Sequence, residues 1–122
     1  MWKYANPNPC RLEEPDCVVR AIAIATGKTW HKVHSDLCRL SGERCTMPSV
    51  NWLWGLYLKG NGFQRFLPDC PECTTIREFC RKYPEGTYVI GTGTHAVAVM
   101  DGDWYDAWDS GDETPSYFWK GR

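Results

Sequence analysis

Cys17 is the residue of this chain best placed for chemistry by type and context. It stands in Asp16-Cys17-Val18-Val19-Arg20-Ala21, at the expected first turn of an apolar helix. Backbone N–H groups there lack intrahelical partners, and the positive end of the helix dipole favours a thiolate. The acidic neighbours Glu13, Glu14 and Asp16 act in the opposite sense. A reactive Cys17 therefore needs a cationic partner. Of the three histidines, His31 and His34 fall within a second expected helix, which leaves His95. An early Cys on a helix and a late His on a strand is a common arrangement for an intracellular Cys/His nucleophile pair.

A third residue should orient the imidazole. Asp101-Gly102 is a strong hairpin signal between two strand-like runs. A two-residue turn pairs Met100 with Asp103 and His95 with Trp108, so that Asp106 lies diagonally opposite His95 on the same face. One extra residue as a bulge shifts the register and sets Asp109 directly against His95. Asp109 is the first choice and Asp106 the alternative.

The other cysteines carry less. There are seven in all, an odd number that a complete disulfide framework leaves unpaired. The start, Met1-Trp2-Lys3-Tyr4, has no apolar signal region. A reducing, cytoplasmic setting with free thiols is the expectation. Cys70-Pro71-Glu72-Cys73 with Cys80 lacks the second pair that a structural zinc site wants, and His34 with Cys38 adds nothing specific. No metal and no cofactor is expected. Gly91-Thr92-Gly93 precedes a strand rather than a helix, so it is not a phosphate-cradling loop. A net charge of −1 argues against a nucleic-acid surface. No apolar run approaches the roughly 18 residues of a membrane span.

The elements that must position these residues follow from pattern. With 122 residues, 43% hydrophobic and 24% charged, the chain has the size and composition of one soluble domain, 1–122. The Pro- and Asn-rich start reads as an extended lead-in. Val18–Ala25 is apolar except for Arg20, the signature of a buried helix, with Asp16 as its cap and Thr26-Gly27 as its end. Trp30, Val33, Leu37 and Leu40 mark one face of a second helix capped by Thr29. Pro48 opens a third, bearing Val50, Leu53, Trp54 and Tyr57, and Gly60-Asn61-Gly62 stops it. Phe63–Leu67 reads as a short strand. Thr75 and Glu78 form a capping box for a fourth helix to about Tyr83. Thr87–Ile90, His95–Met100 and Asp103–Trp108 read as strands, and Tyr117–Trp119 as a last edge strand. Trp104, Trp108 and Trp119 are expected in the sheet core. Helices first and antiparallel strands second is an α+β order.

These residues also carry a resemblance. Asp16-Cys17-Val18-Val19-Arg20-Ala21, then His95-Ala96-Val97-Ala98-Val99, then Asp109-Ser110-Gly111 resemble papain-like cysteine peptidases. The chain is similar to small papain-like proteins of bacteria and their phages, with an Asn-Pro-rich start and an Asp-x-Trp-Asp ending. The resemblance covers nearly the whole chain by order of elements, through short motifs. It implies a papain-like α+β fold, with the nucleophile helix packed on a small antiparallel sheet. It implies thiol-dependent hydrolysis of a peptide or isopeptide amide bond, with Cys17 as nucleophile, His95 as acid and base, and a peptide or protein as substrate. The family's Cys-Gly-Ser-Cys-Trp box is absent. Arg11 stands six residues before Cys17, where the family often has an oxyanion-binding Gln. The side-chain amide of Asn8 or Asn6, with the Cys17 backbone N–H, is the expected replacement. The alternative expectation is a non-catalytic module that binds a protein partner.

Overall fold

A computed structural model describes residues 1–11, 15–69 and 74–121. The apolar run around Val18 is helical, and α1 spans Cys17–Thr26. Gly27 ends it in the left-handed conformation (φ 73°), its N–H bonded to the Ala23 carbonyl. Asp16 occupies the N-cap position but makes no side-chain capping bond. The expected cap is corrected: the Asp16 carboxylate is engaged elsewhere, as described below. α2 spans Trp30–Glu43, with the Thr29 hydroxyl accepting from the Lys32 N–H. It runs three residues beyond the expected Leu40. α3 spans Asn51–Gly60 and starts later than Pro48, because Pro48 and Ser49 form a turn closed by the Val50 N–H on the Met47 carbonyl. α4 spans Ile76–Lys82, with the Thr75 hydroxyl accepting from the Glu78 N–H at 3.2 Å.

The strands are β1 (Trp2–Tyr4), β2 (Gln64–Phe66), β3 (Thr87–Gly91), β4 (Ala96–Met100), β5 (Asp103–Asp106) and β6 (Tyr117–Lys120). They form one sheet in the order β1-β5-β4-β3-β6-β2. Only β1 runs parallel to its neighbour, β5; the other pairings are antiparallel. The molecule is thus α+β. Two expectations are corrected. The start of the chain contributes a strand, and β6 lies inside the sheet, between β3 and β2. The turn from β4 to β5 has positive φ at both Asp101 (48°) and Gly102 (82°), the twist that suits a two-residue hairpin. Met100 accordingly pairs with Asp103.

The pleat of β3 and β4 sorts the core into two layers. Val89, Ala96 and Ala98 face a cluster with α1, α2 and α3, centred on Ile22, Val33, Leu37, Trp54 and Leu58. Tyr88, Ile90, Val97 and Val99 face the other side, against Ile76, Phe79 and Cys80 of α4 with Trp104 and Phe118. The alanines of β4 oppose Ala21 and Ala23 of α1, and small residues on both surfaces allow the helix and strand to pack closely. Among the described residues, no helix is long and apolar enough to cross a membrane.

Candidate active site

The packing of α1 on β4 carries Cys17, at the start of the helix, to His95, which immediately precedes β4. The half-buried Cys17 thiol lies beside the His95 ring and the Ala96 backbone, close enough for both to act on its titration. Burial works to raise the thiol pKa, but the hydrogen-bonding influence of His95 and Ala96 and the charges of His95 and Arg20 outweigh it, and the pKa is lowered. Cys17 and His95, named from residue type and chain order, are brought together.

His95 Nε2 meets Asp106 Oδ2 across 2.5 Å. A carboxylate only accepts, so Nε2 carries the hydrogen and Nδ1 is the ring nitrogen left for Cys17. The His95 side chain is 10% exposed and that of Asp106 3%. Burial disfavours charge on the ring, but the hydrogen bonds with Asp106 and Cys17 overcome it and hold the pKa up at about 9. A thiol shifted down beside an imidazole shifted up favours the thiolate–imidazolium form of the pair.

Asp106 is itself fixed from several sides. Ser110 Oγ donates to Oδ2 (2.7 Å), the Ala107 N–H donates to Oδ1 (2.8 Å), and Arg20 Nη2 lies 3.6 Å from Oδ1. Asp109 takes no part in this. Its Oδ1 accepts from the Gly111 N–H and Trp104 Nε1, each at 3.0 Å, and those bonds lower its pKa. It lines a cavity of about 500 Å³ with Trp2, Arg77 and Trp104. The first choice of Asp109 is therefore corrected in favour of Asp106, because the hairpin keeps its two-residue register without a bulge.

The asparagines expected at the oxyanion make bonds of their own. Asn8 is buried; its Nδ2 donates to Asp16 Oδ2 (3.1 Å) and its Oδ1 accepts from the Cys10 N–H (2.9 Å). Asn6 Oδ1 accepts from the Asn8 N–H (3.1 Å). Both build the turn that leads to α1, and Asn8 braces Asp16 rather than aiming its bonded hydrogen at the thiol. Trp30 Nε1 also donates to Asp16 Oδ2 (2.9 Å), and Arg20 pairs with Oδ1. The acidic neighbour of Cys17 is thus neutralised. Glu13 and Glu14 lie outside the described residues.

Trp108, expected in the sheet core, is 46% exposed and lies over the His95 ring, centroids 4.9 Å apart. There it limits water access to the ring face. Ser110 was missed, since a serine after Asp109 gives no signal for a bond to Asp106. The reach of Arg20 to Asp106 has no local signal either, because Asp106 comes from a distant strand. Cys10, Cys17, Cys38, Cys45 and Cys80 are free thiols. Cys80 is buried in the α4 core, and burial pushes its pKa to about 11. Cys70 and Cys73 lie outside the described residues. Among the described residues, no group of three or more His, Cys, Asp and Glu is disposed to hold a metal ion. Comparisons with protein-family models, curated proteins and solved structures find no match to this chain.

Proposed function

We propose that the chain is a thiol-dependent hydrolase of a peptide or isopeptide amide bond, working through Cys17, His95 and Asp106. The observation that carries this reading is one imidazole bonded to a carboxylate by Nε2, with a thiol at a helix start beside it. The papain-like order of helix Cys, strand His and trailing Asp agrees with it. The Cys17 thiolate attacks the amide carbonyl carbon, and the carbonyl electrons move to oxygen. The Cys17 N–H belongs to the first helical turn, whose amides lack intrahelical partners and suit an oxyanion. Collapse breaks the C–N bond as His95 gives its proton to the leaving nitrogen, leaving a thioester. Water then adds, losing a proton to His95, and the acid departs with Cys17 restored as thiolate. Asp106 holds the ring and stabilises the imidazolium throughout. A cytoplasmic setting, where thiols are kept reduced, suits a free catalytic thiol.

A non-catalytic binding module for a protein partner is the second reading. It is favoured by one departure: Arg11 stands where the family often has its oxyanion-binding Gln, and Asn8 gives a side-chain hydrogen to Asp16. Iodoacetamide labelling at pH 6, mapped by peptide mass, followed by a screen of fluorogenic peptide amides, separates the readings. The hydrolase reading expects Cys17 to label first, His95→Ala to slow it, and Cys17→Ser to abolish turnover. Labelling of Cys17 no faster than of Cys38 or Cys45 would overturn it. Fast labelling without turnover of any amide would favour the binding module.

A further inference from the structure

Arg20 is the only charged residue of α1 and is 8% exposed. A buried guanidinium is costly unless it is paired. One helical turn separates it from Asp16, with which its Nη1 pairs, while Nη2 reaches toward Asp106 Oδ1 at 3.6 Å. One planar cation thus lies between the carboxylate adjoining Cys17 and the carboxylate that holds His95.

We propose that Arg20 sets the pH range over which Cys17 and His95 remain an ion pair. This rests on the thiol–imidazole reading above. The charged groups around the pair, among the described residues, are Asp16 from the turn before α1, Arg20 from α1, Asp106 from β5 and His95 itself. Asn8, Trp30 and Ser110 add only neutral donors. With Arg20 present, one of the two carboxylates is compensated. Without it, both act on the pair uncompensated. Each then disfavours a negative thiolate and favours a positive imidazolium, so both titrations move to higher pH. Asp106 does not depend on Arg20 for its place, since Ser110 and the Ala107 N–H also hold it.

A purely structural role gives a different signature. Loosening the packing admits water and returns each group toward its ordinary value, Cys17 upward and His95 downward. The test is the pH dependence of Cys17 alkylation by iodoacetamide together with an NMR titration of His95, in wild type, Arg20→Gln, Arg20→Lys and Asp16→Asn. The expected result for Arg20→Gln is a rise of both, with Cys17 moving on the order of one unit, about tenfold in alkylation rate on the acid side. Arg20→Lys keeps the charge and should stay near wild type. Asp16→Asn, which leaves Arg20 in place, should move Cys17 to lower pH, and it carries the test if Arg20→Gln does not fold. A rise of Cys17 with a fall of His95 in Arg20→Gln, or no movement of Cys17 in Asp16→Asn, would overturn the proposal. A wild-type Cys17 that titrates like an ordinary thiol would overturn the thiol–imidazole reading itself.

Discussion

Asp106 and Asp109 offer the same chemistry three residues apart, yet the structure uses them differently. The choice turned on one residue of register. Chain order and residue type made Cys17 and His95 legible, but whether the hairpin carried a bulge was not written in Asp101-Gly102 alone. Two substitutions test the placement. Asp106→Asn removes the charge that favours an imidazolium, so the His95 pKa should fall from about 9 toward its ordinary 6.5. Asp109→Asn should leave His95 unmoved, because its bonds go to Gly111 and Trp104. NMR titration of His95 reads both. The same values give the pH profile of turnover. Cys17 must be a thiolate, which sets the acid limb at its lowered pKa. His95 must be protonated to release the amine, which sets the alkaline limb near 9. The limbs belong to the coupled pair. In Asp106→Asn the alkaline limb should move down with the histidine.

The helices were legible because each carries a stripe or cap that acts locally: Thr29 and Thr75 cap as expected, and Gly27 stops α1. The sheet was less so. β1 pairs with β5 across about a hundred residues, and β6 lies between β3 and β2, facts of partner order that no local pattern encodes. The feature of β4 that matters for the site is its alternation of alanine and valine. Ala96 and Ala98 face α1; Val97 and Val99 face α4. Enlarging either face overpacks a filled layer and costs about 1–3 kcal/mol. The consequences for Cys17 should differ. Ala98→Leu pushes against α1, the helix that carries the thiol, and should slow Cys17 alkylation at pH 6 toward the rate of an ordinary thiol. Val99→Leu should lower the denaturation midpoint comparably while leaving that rate unchanged. Equal losses of reactivity in the two variants would mean that the approach of α1 to β4 does not set the thiol's environment.

At the scale of the molecule, the site draws on both faces of the sheet: Cys17 packs against the α1 cluster, while Asp106 follows Trp104 of the α4 cluster by two residues in β5. The α1 cluster and the α4 cluster share β3 and β4, so each strand's hydrogen bonds serve both layers. A domain of this size has a stability of about 5–15 kcal/mol, too little for either layer to be expected to persist without the other. Phe79 is fully buried in the α4 cluster, edge-to-face with Tyr88 and Phe118 and tilted against Tyr83. Phe79→Ala should therefore cost about 3–5 kcal/mol through lost burial and the cavity left behind. The loss should be felt at Cys17 only through unfolding. In a urea titration, exposure of Cys17 to a neutral thiol reagent and the tryptophan fluorescence should share one midpoint in wild type, and both should fall together in Phe79→Ala. Before the transition, the pH dependence of Cys17 alkylation should match wild type, since Phe79 packs in the α4 cluster and Cys17 against the α1 cluster. A Cys17 midpoint that stayed in place while fluorescence moved would show that α1 and its strands hold together as a unit of their own.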